Sequence, residues 1–217
     1  NAIGRWLEQR FRLPALAVNA DTMVLPAAGT REALFAIAQC LVSRERGDSV
    51  VAMPNPFYQI YEGAALLAGA EPAFLNQTEA QGFAFDLWSL PDPVWSRTQL
   101  LYVCSPGNPT GRVLTLDEWR ELFAQSDRHG FVIASDECYS ELYYDEASPP
   151  LGLLQAAYAQ GRTDFSRCLV MHSLSKRSNA PGLRSGFIAG DPKLMREFLR
   201  YRTYHGAAMP MHVQAAS

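Results

Sequence analysis

The sequence predicts an α/β protein, a three-layer α/β/α sandwich built around a mostly parallel sheet. Short apolar runs rich in β-branched residues alternate with longer segments of helical periodicity, as in strands that are joined by crossover helices. Several of the runs are apolar at every position, which is typical of strands covered on both faces. Hydrophobic residues make up 48% of the chain and charged residues 19%, so a substantial core can form.

The order of the predicted elements follows from these patterns. Six apolar runs bordered by turn residues predict strands at 49–53, 72–75, 100–104, 131–135, 168–172 and 186–189. Helical periodicity predicts helices at 30–42, 57–68, 116–129 and 191–204, and similar patterns near both ends predict helices at 3–11 and from 210 onward.

Start and stop signals support the predicted helices. Thr30 is a candidate N-cap for the helix at 30–42. Thr115 and Glu118 form a candidate capping box for the helix at 116–129, which Gly130 should end. Asp191 is followed by a proline, the order expected of an N-cap and the first helical position.

Composition and charge exclude several classes of protein. The formal net charge is −3 and the arginines are dispersed among acids, so no nucleic-acid surface is expected. No apolar run reaches the length of a membrane span and no signal peptide opens the chain. The four cysteines lack metal-ligand spacing, so we expect no metal site and small buried thiols in a reducing cytoplasm.

Polar residues follow two of the predicted strands, where ligands of open α/β sheets bind. The stretch "SPGNPTG" follows the strand at 100–104 and holds Asn108 in a rigid turn, and the simpler interpretation is a turn alone. The stretch "DECYSEL" follows the strand at 131–135. It carries Asp136, which could instead be a helix N-cap, and a phenol at Tyr139 three residues later.

The stretch "HSLSKRSNAPGLRSGF" holds one of only two lysines in a chain with seventeen arginines. Unlike arginine, Lys176 can lose its proton and attack a carbonyl, although a lysine at an arbitrary position is most often solvated surface. Ser173, Ser175 and Arg184 lie in the same stretch.

Two further stretches complete a set of groups suited to one ligand. Gly29 and Thr30 place free backbone N–H groups at a helix N-terminus, a natural anion site or an ordinary capped helix. "PNPFYQIY" places aromatic rings at a strand end, where they could equally pack in the core. With the lysine, aspartate, asparagine and tyrosine, these groups match the needs of a phosphorylated pyridine aldehyde.

At this point the chain resembles the class I/II aminotransferases, which are fold type I pyridoxal-phosphate enzymes. The motifs "AGTREAL", "PNPFYQIYEGAA", "SPGNPTG", "SDECYSEL" and "SLSKRSNAPGLRSGF" carry this resemblance in order along nearly the whole chain. The resemblance implies the residue roles that follow. Lys176 is the Schiff-base lysine, Asp136 the partner of the pyridine nitrogen, Asn108 and Tyr139 the ligands of the phenolate oxygen, Tyr58 rather than Phe57 the stacking ring, and Gly29, Thr30, Ser173, Ser175 and Arg184 the phosphate cradle, with Arg31 assisting.

Within that family the chain is similar to the N-succinyldiaminopimelate aminotransferases of bacterial lysine biosynthesis, through "GTREALFAIAQ" and "MPNPFYQIYEGAALLAGAEPAFLN". This implies N-succinyl-LL-2,6-diaminopimelate as amino donor and 2-oxoglutarate as acceptor. The alternatives are an aminotransferase for another amino acid, a C–S lyase or cyclising synthase of the same fold, and a regulator domain that binds the cofactor without turnover.

The resemblance also implies what lies outside the chain. We expect residues 1–217 to be the cofactor-binding large domain of a longer protein. The N-terminal segment with the substrate lid, and the C-terminal small domain with the substrate-carboxylate arginine, are expected beyond the two ends. A homodimer is implied as well, since many family members receive a tyrosine from the partner subunit. The isolated chain is therefore expected to be inactive.

Overall fold

The computed structural model describes residues 1–217, which fold into a seven-stranded sheet with helices on both faces. The strands are β1 Val24–Ala27, β2 Val50–Asn55, β3 Glu71–Asn76, β4 Thr98–Cys104, β5 Val132–Asp136, β6 Cys168–Ser173 and β7 Gly186–Gly190. The helices are α1 Ala2–Arg10, α2 Thr30–Leu41, α3 Gln59–Ala68, α4 Asp92–Trp95, α5 Leu116–His129, α6 Leu153–Ala159, α7 Leu174–Arg177, α8 Pro192–His205 and α9 Met211–Ala216. Short 3-10 turns connect several of them.

The sheet is mostly parallel. Its strand order is β1-β7-β6-β5-β4-β2-β3, and neighbours among β6, β5, β4, β2 and β3 pair in parallel. Strand β7 alone runs in the opposite direction, because it pairs antiparallel with both β1 and β6. This is the predicted three-layer sandwich with a mostly parallel sheet.

Two buried clusters fill the spaces on either side of the sheet. One packs Leu7 of α1, Trp119 of α5 and Leu154 of α6 against one sheet face. The other packs Ile37 of α2 and Phe198 of α8, together with α3, against the opposite face. Along β4 the side chains alternate between these clusters, as the pleat of a strand covered on both faces requires.

All six predicted strands are present, with ends that differ by one or two residues. Strand β1 was not predicted. Its sequence VLPA is short and contains Pro26, which argues against an interior strand, but β1 lies at the sheet edge, where a proline is tolerated. Helices α4, α6 and α7 were also missed because they are only four to seven residues long.

Most predicted helix ends are confirmed, with one correction. Thr115 and Glu118 form the capping box of α5, Gly130 ends that helix in the left-handed conformation, and Asp191 caps α8. The predicted Thr30 cap is wrong, because Gly29 occupies the N-cap position and Thr30 is the first helical residue. None of the helices combines the length and the apolar character that a membrane crossing requires.

The strand directions bring the candidate residues to one edge of the sheet. The carboxyl ends of the parallel strands β2, β4, β5 and β6 meet there. Strand β1 runs antiparallel to β7 and so ends at the same edge, just before Gly29. Because β7 is reversed, it begins at this edge, and Arg184 lies two residues before its first residue, Gly186.

Candidate active site

A cavity of about 500 Å³ opens at this carboxyl edge. It contains nine of the eleven predicted site residues, which come from different strand ends and from the start of α2. Its lining comprises Thr30, Arg31, Tyr58, Tyr61, Cys104, Asn108, Asp136, Cys138, Tyr139, Ser175, Lys176, Pro181 and Arg184.

Asp136 is the buried carboxylate of this cavity. It is the last residue of β5 and only 5% exposed. No helix follows it, so it is not an N-cap. Its Oδ2 accepts a hydrogen bond from Tyr61 at 2.9 Å, and its Oδ1 accepts the backbone N–H of Cys138 at 3.3 Å. Burial raises the pKa of the carboxyl, and these hydrogen bonds, together with the charge of His172, offset part of that rise.

Tyr61 is a site residue that sequence reasoning missed. It is buried in α3, stacks on Tyr102 with ring centroids 4.7 Å apart, and directs its hydroxyl to Asp136. Burial first, and then the neighbouring Asp136, raise the pKa of the phenol well above its usual value, so it remains a donor. Its signal in the sequence was its position three residues after Tyr58, the N-cap of α3, and the two ring centroids lie 5.9 Å apart.

Two buried thiols also line the cavity, and neither was predicted to do so. Cys104 ends β4, and burial raises the pKa of its thiol to about 12. Cys138 lies 3.0 Å from the Thr30 hydroxyl, and burial raises its pKa well above the usual range. Both sulfurs are therefore neutral, weak partners beside Asp136. All four cysteines are free, and three are buried, as expected.

The N-terminus of α2 faces a guanidinium across a very short gap. Gly29 has φ of 92°, a conformation that side chains rarely adopt, and a methyl group there would lie 2.5 Å from Arg184 Nη2. Arg184 is held by hydrogen bonds to the carbonyl oxygens of Ala28 at 2.8 Å and Pro181 at 3.0 Å. The free N–H groups of the helix and the guanidinium together form a cradle for an anion.

A second arginine extends the positive side of the cavity. Arg31 Nε donates to the Tyr58 hydroxyl at 2.6 Å, and its guanidinium lies 5.7 Å from that ring's centroid. Tyr58 thus turns a ring into the cavity and is fixed at its hydroxyl. Phe57 points elsewhere and stacks on Phe74 with centroids 5.3 Å apart.

The lysine segment is a short helix at the end of β6. Ser173 caps α7 by accepting the backbone N–H of Ser175 at 3.1 Å, and it donates to the carbonyl of Ser185. Ser173 is buried and does not line the cavity, so it supports Ser175 from behind. Ser175 and Lys176 both line the cavity, and the turn of α7 directs them there together.

Asn108 and Tyr139 occupy the remaining wall. Asn108 is exposed in the turn after β4, with its amide free for a ligand. Tyr139 is half-buried, and burial, followed by the charge of Asp136, raises the pKa of its phenol. Both can therefore present a hydrogen-bond donor to the cavity at neutral pH.

Comparison with known proteins agrees with this fold and site. The family model for aminotransferase class I and II matches residues 1–217. A 4-dedimethylamino-4-oxo-anhydrotetracycline transaminase of Streptomyces rimosus is 37% identical over 99% of this chain and 54% of its own length. An LL-diaminopimelate aminotransferase of Dehalococcoides mccartyi is 31% identical over 98% of this chain and 52% of its own.

A solved aminotransferase from Neisseria meningitidis superimposes with a TM-score of 0.94 and is 52% identical, covering 99% of this chain and 53% of that one. The chain thus spans about half the length of the proteins it matches. It belongs to the class I and II aminotransferases.

This family depends on pyridoxal phosphate, and the cavity suits that cofactor. The Gly29 cradle leaves no room for a side chain but offers N–H groups and Arg184 to a phosphate. A buried carboxylate, a lysine and two neutral donors remain for the ring and its substituents. No group of three or more histidine, cysteine, aspartate or glutamate side chains is arranged to hold a metal ion.

Proposed function

We propose that the protein containing this chain transfers amino groups between an amino acid and a keto acid with pyridoxal phosphate. The observation that carries the proposal is the convergence of Lys176, Asp136 and the Arg184 cradle in one cavity. The cofactor, when bound, supplies an aldehyde for covalent attachment and a ring that accepts electrons. Residues 1–217 act as the cofactor-binding domain in this proposal.

Each side chain has a physical task in the proposed site. Lys176 Nζ would bind the cofactor aldehyde covalently, and as a free amine it would move the proton at the substrate Cα. Asp136 pairs with the protonated pyridine nitrogen, and Tyr61 keeps its carboxylate aligned. Asn108 and Tyr139 donate to the phenolate oxygen.

The phosphate and ring have their own supports. Gly29, Thr30, Ser175 and Arg184 hold the phosphate, with Arg31 nearby. Tyr58 covers the ring face, and its hydrogen bond to Arg31 fixes its orientation. Ser173 acts through Ser175, because its hydroxyl is already bonded within the protein.

Peptide mapping tests the covalent attachment. Borohydride reduction of the complete protein with pyridoxal phosphate should label Lys176, and Lys176→Arg should abolish the label. Lys193 is the internal control, since it is the only other lysine and lies exposed on α8, which begins at the opposite edge. A label on Lys193 alone would contradict the assignment.

The proposed donor is N-succinyl-LL-2,6-diaminopimelate, with 2-oxoglutarate as acceptor. The sequence resemblance and the diaminopimelate enzyme at 31% identity support this class of donor, whereas the relative at 37% is named a 4-dedimethylamino-4-oxo-anhydrotetracycline transaminase. We further propose a cytoplasmic homodimer, in keeping with the free cysteines and the family resemblance.

A donor panel decides among the alternatives. The complete protein is assayed with succinylated and free diaminopimelate, aspartate and aromatic amino acids, each with and without 2-oxoglutarate. We expect the succinylated donor to give the highest kcat/KM, and product only with the keto acid. Product formation without a keto acid would identify a lyase, and cofactor binding with no turnover would identify a regulator.

A further inference from the structure

A buried acid–base pair lies directly behind the cavity, and the proposed chemistry does not use it. Glu137 follows Asp136, and His172 precedes Ser173 at the end of β6. Their side chains are 1% and 2% exposed, and Glu137 Oε2 lies 3.3 Å from His172 Nε2. Neither of these two atoms has a hydrogen-bond partner, so they lie in contact without a hydrogen bond between them.

The pair faces the opposite side of the sheet from the cavity. Successive side chains of a strand point to opposite faces, so Glu137 turns away from Asp136. The His172 ring packs against Trp6, Phe11 and Phe187, with centroids 5.1 to 5.6 Å away, and Phe11 and Phe187 belong to the core cluster under α1, α5 and α6.

Glu137 is held closely from several directions. Its Oε1 accepts the backbone N–H of Leu153 at 2.7 Å and the hydroxyl of Ser135 at 3.0 Å. A methyl group at Gly152 would lie 2.8 Å from Oε2, so the backbone packs closely against the carboxylate. These contacts hold the Glu137 side chain in place, and Glu137 is the residue that follows Asp136 in the chain.

From the apolar surroundings of His172, we do not expect that stability alone requires this pair. The neighbours of His172 are aromatic rings, and replacing a buried ion pair by apolar groups of similar size is often neutral or stabilising. What the pair does instead is connect the strand that ends in Asp136 to the strand that leads into Lys176.

We propose that Glu137 and His172 are positioning residues that hold Asp136 and the Lys176 segment in register for the cofactor. This inference rests on the proposed function of the cavity. The pair does not touch the cofactor. It acts through the close contact that it makes between the two strand ends that do.

Variants of the complete protein separate positioning from mere stability. His172→Phe keeps the ring packing but leaves the buried Glu137 carboxylate without its imidazole neighbour. Glu137→Gln/His172→Phe removes that unpaired charge, while the glutamine oxygen can still accept from Leu153 and Ser135. His129→Phe is the matched control, because His129 is a buried histidine beside Asp92 that stacks on Trp95 far from the cavity.

Two quantities are measured for each variant, the denaturant midpoint of the cofactor-free protein and the Kd for pyridoxal phosphate. We expect His172→Phe to lower the midpoint and the double variant to recover much of it. The Kd should rise about tenfold in both variants, in the range found for residues that are coupled by contact. His129→Phe should leave the Kd unchanged.

Recovery of both the midpoint and the Kd in the double variant would overturn the proposal, because the pair would then be structural only. The proposal would also be overturned if Glu137→Gln, His172→Phe and the double variant all bound pyridoxal phosphate with the wild-type Kd. If His172→Phe does not fold, the double variant and Glu137→Gln decide. Failure of the wild-type protein to bind pyridoxal phosphate at Lys176 would instead overturn the proposed function, and with it any positioning role.

Discussion

Asp136 and Asp191 are both buried aspartates at the end of a strand, yet they lie at opposite edges of one sheet. Asp136 ends β5, whereas Asp191 follows β7, which runs in the reverse direction. Asp191 accepts three backbone N–H groups, from Lys193 and Arg167 at 2.8 Å and from Leu194 at 3.5 Å. Asp136 accepts one backbone N–H and one phenol, and its side chain lines the cavity.

The difference separates a structural carboxylate from one available to a ligand. Asp191 uses its oxygens to begin α8 and to fix the loop before β6, so its charge is compensated within the chain. Burial raises the pKa of Asp136 because its hydrogen bonds replace water only in part. A buried carboxylate that has few internal partners and faces a cavity is a candidate for function.

The largest effect that we expect is the loss of activity when the Asp136 carboxylate is replaced. Asp136→Asn in the complete protein should lower the transamination rate by at least about 100-fold, because a neutral amide cannot stabilise a protonated pyridine nitrogen. Single-turnover kinetics with an amino donor measures this rate.

Circular dichroism provides the control for folding, and Asp191→Asn is the matched variant, which should keep most of its rate per folded molecule. An Asp136→Asn enzyme that is as active as wild type would show that the carboxylate has no role toward the cofactor.

The second effect is a loss of stability when Asp191, at the opposite edge of the sheet, is replaced. Asp191→Ala removes the cap of α8 and leaves the N–H of Arg167 without its acceptor, so the free energy of unfolding should fall by about 2 kcal/mol. Urea unfolding of the cofactor-free protein measures the loss. The Kd for pyridoxal phosphate should not change, and a weakened Kd would mean that the two edges are coupled.

The comparison also shows what the sequence could predict. The proline after Asp191 marked it as a cap, and the box at Thr115 and Glu118 was equally explicit, because such signals are local. The order of the strands and the reversal of β7 depend on contacts between residues that are distant in the sequence. The sequence therefore could not show why Arg184 reaches the same edge as Asp136.

Site residues that lie in recognisable motifs were predicted, whereas a residue whose role depends on how the helices pack was missed. Lys176, Asn108 and Asp136 follow strand ends in motif stretches, and the fold brings them to one cavity. Tyr61 was hidden because a tyrosine inside an apolar helix resembles core, and only the fold shows its hydroxyl at Asp136. The role of Ser173 stays a prediction: its hydroxyl bonds within the protein, to the carbonyl of Ser185.

The smallest effect that we expect concerns stability: it measures the free energy lost by burying the Asp136 carboxylate in the cofactor-free protein. Cofactor-free Asp136→Asn should be more stable than wild type at neutral pH, on the order of 1 kcal/mol, or about 2–4 °C in Tm. The amide can still bond with Tyr61, whose hydroxyl both donates and accepts.

The sign of the pH dependence follows from the direction of the shift. Burial raises the pKa of Asp136 in the folded protein, so the protonated form favours folding and that stability is lost as the pH rises through the folded pKa. The advantage of Asp136→Asn should thus be largest near pH 7 and disappear as the pH falls to about 4, the ordinary aspartate pKa. Thermal melts of both cofactor-free proteins between pH 4 and 8 test this. Bound pyridoxal phosphate should reverse the order, because its protonated nitrogen then compensates the wild-type carboxylate. A variant that melts below wild type at neutral pH without cofactor would show that Asp136 is already compensated within the chain, as Asp191 is.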